Sequence, residues 1–246
     1  MSAFTVRRRR TAGSDAVTGD VSVLEEYQDE ERWLFISPHD DDVVIGGALT
    51  VLAGLEAGAT IRCRVVTDGR MGYTNSDDRD RIVDIRRAET AEAFQTLGVQ
   101  DLEFYGYPDS DLYRNAGRRR AAATSPHTVG EHMGLQNSFT AELRSFRPHR
   151  VFMMSIADFH PDHKIVNQEL AISLFHAMGP IWPELGPPTA GAPTLYEMAA
   201  YRSFITPPDH EIQADPGSFR RKLDAIGSFR SQSQIEPLVR KVDAAG

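Results

Sequence analysis

From Trp33 onward, short apolar runs alternate with longer amphipathic ones, and few folds accept that rhythm. WLFIS at Trp33, IRCRVVT at Ile61, LEFYGY at Leu102 and RVFMMS at Arg150 are dominated by apolar residues, as strands covered on both faces of a parallel sheet must be. Between them the spacing turns helical. VIGGALTVLAGLEAG sets Ile45, Leu49, Leu52 and Leu55 on one face and stops at Gly58, a natural C-terminal glycine. DRIVDIRRAETAEAFQTLGV does the same with Ile82, Ile85, Ala88, Ala91 and Phe94 or Leu97. SFTAELRSF predicts a third helix, and HKIVNQELAISLFHAMG a fourth that buries Ile165, Leu170, Leu174 and Met178. LYEMAAYRSF predicts a further strand and SFRRKLDAIGSF a late helix, with the Pro- and Gly-rich GPIWPELGPPTAGAPT as a loop before them. Strand-helix-strand repetition of this kind predicts a Rossmann-like, three-layer α/β domain with a mainly parallel sheet.

The length of 246 residues fits one such domain over residues 21–246, with residues 1–20 as a disordered, solvated tail. That tail carries Arg7 to Arg10, but the TAGSDAVTGD that follows is polar where a secretion signal needs an apolar segment. No apolar run is long enough to span a membrane. A formal net charge of -8 argues against a general nucleic-acid binder, which needs positive surface to displace counterions from phosphates. The single cysteine, Cys63, excludes an intrachain disulfide and a thiolate zinc site, so metal ligands would be His, Asp or Glu. That usage fits a cytoplasmic protein. The oligomeric state stays open, a homo-oligomer included.

Charge is concentrated where buried strands end. SPHDDDVVIGG follows the first strand and places Asp40, Asp41 and Asp42 beside His39. One aspartate satisfies a helix N-cap; three adjacent carboxylates repel one another and call for a cation. DFHPDHKIV follows the fourth strand with Asp158, His160, Asp162 and His163. Ligands of open α/β sheets bind at such carboxyl ends. If the two strands are neighbours, His39, an aspartate and one of His160 or His163 can form the two-histidine, one-carboxylate set that hydrolytic zinc uses.

Together, PHDDDVVIGG and HPDH resemble the motifs of the PIG-L, or LmbE-like, family of zinc-dependent N-acetylglucosaminyl deacetylases. His39 matches the first histidine of H-P-D-D-E, Asp41 and Asp42 its aspartate pair, Gly46 the glycine that follows, and HPDH at His160 the later H-x-D-H. VTDG at Val66, RRAE before LGV, GYPDSDL and KLDAIGSFRSQ extend the resemblance over about residues 33–232. Asp40 replaces the family's proline, Val43 its glutamate, Arg70 a glutamate often seen after T-D-G, and Phe229 a histidine.

The resemblance implies one zinc per chain, with ferrous iron as the alternative metal, held by His39, Asp42 and His163. It implies Asp41 as general base, His160 as a charged donor to the developing oxyanion, and Asp162 as the group orienting His160 or His163. The implied substrate is an N-acetylglucosamine-type sugar or glycoconjugate, deacylated at its amide nitrogen. Arg70, Arg86 and Asp109 are candidate contacts to sugar hydroxyls, or surface ion-pair residues. Arg118 to Arg120 read as an exposed basic loop, with recognition of a substrate phosphate as the alternative. Trp182 could stack on a sugar or cover the core. Two rival readings are a non-catalytic sugar-binding protein that keeps the fold and a non-haem iron oxygenase built on His39 and Asp41. The oxygenase conflicts with the strand-helix alternation.

Overall fold

The computed structural model describes residues 2–9 and 16–243. In chain order it forms β1 (Phe4–Arg8), β2 (Val17–Gly19), β3 (Arg32–Ser37), α1 (Asp42–Glu56), β4 (Thr60–Thr67), α2 (Ile82–Leu97) and β5 (Asp101–Tyr107). There follow β6 (Arg119–Arg120), β7 (His132–Met133), α3 (Leu135–Phe146), β8 (Arg150–Met154), α4 (Pro161–Met178), β9 (Thr194–Met198), β10 (His210–Ala214), α5 (Pro216–Ile226) and α6 (Ile235–Asp243).

Five strands pair in the order β5-β4-β3-β8-β9, every pair parallel. Their period-two geometry divides the apolar runs between two cores. Trp33, Phe35, Phe152 and Met154 join α1, α2 and α5 on one face. Leu34, Ile36, Val151 and Met153 join α3 and α4 on the other. The result is the three-layer α/β architecture that the alternation predicts. The chain lays β4 and β5 to one side of β3 and then crosses to β8 and β9, so the strand order reverses between β3 and β8. A crevice opens at the carboxyl ends of strands where the order reverses, which is where such folds bind ligands.

Four expectations need correction. Phe4–Arg8 is not a solvated tail: it pairs antiparallel with β10, Phe4 opposite Ala214 and Val6 opposite Ile212. Phe4 and Val6 alternate with polar residues and bury their side chains in the core that α1, α2 and α5 share, while Arg7 meets Glu211 and Arg8 meets Glu25. Arg10 and the rest of 10–15 lie outside the described residues. The buried face of α2 is rotated from the one expected: Arg86, Glu89 and Thr90 point inward with Ile82, Ala93, Phe94 and Leu97, whereas Ala88 and Ala91 are exposed. Met178 of α4 is exposed, and the strand expected over LYEMAAYRSF ends at Met198.

Candidate active site

Strand β3 delivers Ser37 to the crevice, and the chain turns through residues 38–41 into α1. Ser37 Oγ donates to the His39 carbonyl and accepts from the Val43 N–H at 3.3 Å, which closes the turn. Asp41 occupies the N-cap position of α1, yet its side chain makes no capping bond. Asp42 turns Oδ2 back to accept the His39 N–H at 2.7 Å. Capping therefore accounts for neither carboxylate. The second loop runs from β8 to His160, which does cap its helix: His160 Nδ1 accepts the Asp162 N–H at 3.2 Å, and Pro161 takes the first position of α4.

Because β3 and β8 are hydrogen-bonded neighbours, the two loops meet. His39 Nδ1 lies 3.3 Å from Asp42 Oδ2 and 3.2 Å from His163 Nε2, and His163 Nε2 lies 3.1 Å from Asp42 Oδ2. Three donors form a near-equilateral triangle. Ligands about 2.0–2.1 Å from a tetrahedral zinc stand roughly 3.3 Å apart, so the edges fit such an ion. Asp42 Oδ1 is buried without a hydrogen-bond partner among the described residues, which also suits a carboxylate awaiting a cation. His39, Asp42 and His163 could hold a metal; His39 also stands in two other groups of close donor atoms, with His160 and His163 and with Asp109 and Asp162.

Carboxylates back both rings. His39 Nε2 faces Asp109 Oδ1 at 3.4 Å and Asp162 Oδ2 at 3.5 Å, and His163 Nδ1 faces Asp158 Oδ2 at 3.3 Å, off the line of a good hydrogen bond. Such partners fix the ring and its tautomer. Asp162 thus faces His39, not His160 or His163. It also accepts the Ser110 N–H at 2.9 Å. Asp109 is buried against His39 and accepts the Met71 N–H, so it is not a free sugar ligand. Asp158 had no role in the sequence reading. Its signal was its place in the acid-histidine cluster that follows β8.

The charges of this cluster shape its proton affinities. Burial and the neighbouring charge of Asp40 push the Asp41 carboxyl up to about 7, against the opposing pull of Arg86. Burial would raise Asp42 too, but hydrogen bonds from His163 and His39 hold it well below the usual carboxylate range. Burial disfavours the cationic form of His39, yet Asp109, Asp162 and Asp42 outweigh it and hold its pKa well above 6.5. His160 is lowered, by burial first and then by the charges of His39 and His163. With Nδ1 already accepting, its ring is a neutral donor through Nε2, where the family resemblance implied a charged one.

Arg86 is buried and forms a two-pronged pair with Asp40, with Nε 2.7 Å from Oδ2. It is not available to a sugar hydroxyl from that seat. Arg70 is half exposed at the rim and donates Nε to Asp68 at 2.7 Å. Arg118 meets Glu184 and Asn137, Arg119 meets Asn115, and Arg120 lies 3.9 Å from Glu131. Trp182 packs against His176, 13 residues along α4 from His163, hence about 20 Å from the triangle. It cannot stack on a ligand held there.

Known proteins match this arrangement. Residues 34–173, more than half of the chain, fit the family described as PIG-L: GlcNAc-PI de-N-acetylase. A deacetylase of 1D-myo-inositol 2-acetamido-2-deoxy-alpha-D-glucopyranoside from Kineococcus radiotolerans is 26% identical over 211 residues, covering 76% of this chain and 55% of that protein. The chain thus spans about half the length of that relative. N,N'-diacetylchitobiose deacetylase from Pyrococcus horikoshii superposes with a TM-score of 0.64 at 24% identity, over 86% of this chain and 76% of that one. GalB, a 4-carboxy-2-hydroxymuconate hydratase from Pseudomonas putida, gives 0.64 at 18% identity, over 86% and 84%. Likeness of fold therefore does not select the reaction. The matched stretch begins within β3 and ends within α4, so it contains both loops of the triangle. The chain belongs to the PIG-L family of GlcNAc-PI de-N-acetylases.

Proposed function

We propose that the protein is a zinc-dependent N-deacetylase that removes the acetyl group from an N-acetylglucosamine-type sugar or glycoconjugate in the cytoplasm. The observation that carries this reading is the triangle of His39 Nδ1, Asp42 Oδ2 and His163 Nε2 next to Asp41, whose buried Oδ1 has no hydrogen-bond partner among the described residues.

His39, Asp42 and His163 would hold the metal. When bound, zinc supplies Lewis acidity toward the acetamide carbonyl and brings the pKa of water toward about 7. The remaining work belongs to the chain. Asp41 takes the proton of the attacking water, as a base with a near-neutral proton affinity and an open oxygen can. The new bond joins the water oxygen to the carbonyl carbon. His160, its ring centred 4.5 Å from that of His39, donates Nε2–H to the carbonyl oxygen as negative charge develops. Breaking the carbon–nitrogen bond needs a proton on the departing amine, and Asp41 holds the one it has just accepted. Asp109, Asp162 and Asp158 keep the two ligand rings in register.

The test is elemental analysis of the purified protein together with acetate release from N-acetylglucosamine, an N-acetylglucosaminyl inositol and diacetylchitobiose, before and after chelation. About one zinc per chain with chelator-sensitive acetate release is expected. A protein that binds zinc but frees no acetate would favour sugar binding alone. Iron with oxygen consumption would replace the hydrolase reading.

A further inference from the structure

We propose that Asp40 is a positioning residue: it holds Arg86 off Asp41, so that Asp41 keeps a carboxylate oxygen open to the reacting water. The inference rests on the reading of Asp41 as the base.

Three side chains carry it. Arg86 reaches in from α2 and presents one edge of its guanidinium, Nε and one terminal nitrogen, to the two oxygens of Asp40. Thr90, one turn further along α2, adds its hydroxyl to Asp40 Oδ2 at 3.2 Å. The same terminal nitrogen of Arg86 lies 3.5 Å from Asp41 Oδ2, outside a good hydrogen bond. Asp40, Asp41 and Arg86 are all buried. Two adjacent carboxylates thus stand before one guanidinium, and Asp40 has taken both prongs.

Gly69 lies along the Nε and Cδ of Arg86, and Gly72 lies against its other terminal nitrogen, where a side chain would collide with the guanidinium. A planar guanidinium makes its strongest contact two-pronged with a carboxylate, so whichever aspartate holds that edge is occupied by it. Were the edge free, Asp41 would be the nearest acid to claim it. A base so held would have its lone pairs taken by the guanidinium and turned away from water. Asp40 occupies the position of the family's proline, which has no carboxylate to offer. The pair is therefore a feature of this chain's own sequence.

The experiment compares zinc-loaded wild-type protein with Asp40→Asn and with the double variant Asp40→Asn/Arg86→Gln. The readouts are crystal structures, zinc content, and kcat and KM on whichever N-acetylglucosaminide the wild type cleaves fastest. In Asp40→Asn, Arg86 is expected to move into two hydrogen bonds with Asp41. Zinc content should be unchanged and kcat should fall about tenfold or more at nearly constant KM. Removing the competitor in the double variant should restore kcat to within a few-fold of wild type. A merely structural pair would instead leave the double variant at least as impaired as the single one.

Arg86 remaining away from Asp41 in the Asp40→Asn crystal, or a double variant no faster than the single, would overturn the proposal. So would an Asp40→Asn protein that fails to fold while the double variant folds, because Arg86 would then have found no second acid. Wild-type protein that frees no acetate would refute the base assignment instead, and the crystal structures would still decide where Arg86 goes.

Discussion

Both ends of the parallel sheet bury an arginine against a carboxylate, and they differ in what is left over. At the amino end, Arg150 and Glu31 are almost fully buried. Arg150 donates to both oxygens of Glu31 at 2.6 and 2.8 Å, to the Tyr196 hydroxyl at 2.6 Å and to the Glu25 carbonyl at 2.8 Å. Glu31 also accepts from Trp33 Nε1 and the Gln28 N–H. Both carboxylate oxygens and all three guanidinium nitrogens are used. At the carboxyl end, Arg86 and Asp40 pair as tightly, but beside them Asp41 Oδ1, Asp42 Oδ1 and His163 Nδ1 have no hydrogen-bond partner among the described residues. Burying polar groups without partners is costly; Thr140, His176 and His210 carry isolated ones elsewhere, but at the crevice three converge from two loops, where one bound group can satisfy them together. A cavity of about 410 Å³ at the amino end, lined by Arg32, His149 and Pro193 among others, contains none of the triangle residues. Convergence of unpartnered groups, not the size of a hollow, separates scaffold from chemistry here.

The comparison breaks most decisively at the metal triangle. His163→Ala is expected to lower zinc content from about one per chain to near zero and acetate release by at least about a thousandfold, since it removes the Lewis acid with its ligand. Zinc retained by His163→Ala would move the site to the other side of His39, toward Asp109 and Asp162. Asp41→Asn should separate metal from chemistry: zinc content stays, and kcat falls about 100- to 10,000-fold. A near-normal rate would remove Asp41 from the proton path.

The amino end should respond in the opposite way. Arg150→Met leaves Glu31 buried and unpaired, which costs about 3–5 kcal/mol of folding stability. Denaturant unfolding should show the loss, while kcat of the folded fraction stays within about twofold of wild type. A large fall in kcat at unchanged stability would erase the distinction between the two ends. Between these extremes lies Asp158→Asn, which touches only His163 in the triangle. It should weaken zinc affinity about 10- to 100-fold, read by competition with a chelator, and leave the zinc-saturated rate close to wild type.

The same contrast explains what the sequence disclosed. Runs such as WLFIS and RVFMMS are apolar on both faces because two helical layers cover them, so the sheet and its order of elements were readable. That the acid-histidine clusters of His39 and His163 would face each other was readable because they follow two such strands directly; which of their side chains form the triangle was not. Side chains that turn inward against their polarity were not. Periodicity places Arg86, Glu89 and Thr90 on the outside of α2, and only the structure reveals that Asp40 and Ser231 wait for them within. Asp109 looked like a sugar ligand because sequence cannot measure its 3.4 Å approach to His39. β1 was missed because Phe4 and Val6 offer too short an alternation, and its partner strand lies some two hundred residues away.

The finest test is the response to pH of the metal-free chain, where the open carboxyl end has only protons to neutralise it. Asp41 has its pKa raised from 3.8 to about 7 by burial and the charge of Asp40, so the folded chain keeps that proton after an unfolded chain has lost it. Between about pH 4 and pH 7 the unfolded state therefore gains by ionising, and stability falls as pH rises. His39 acts with the same sign at higher pH: its folded-state pKa lies well above 6.5, so its contribution is complete below that value and drains away as pH rises through the folded pKa. Asp42, held low, contributes fully once pH exceeds the ordinary 3.8 and does not oppose the trend. The melting temperature of chelator-treated protein should then decline from pH 5 through pH 8, by about the few degrees that one or two such groups command. On the proposed reading, zinc would replace the protons at the triangle and bind more strongly as its ligands lose them, so the zinc-loaded protein should show a flat or rising curve over the same range. Two parallel curves would mean that the unpartnered groups at the carboxyl end are not the ones that receive the metal.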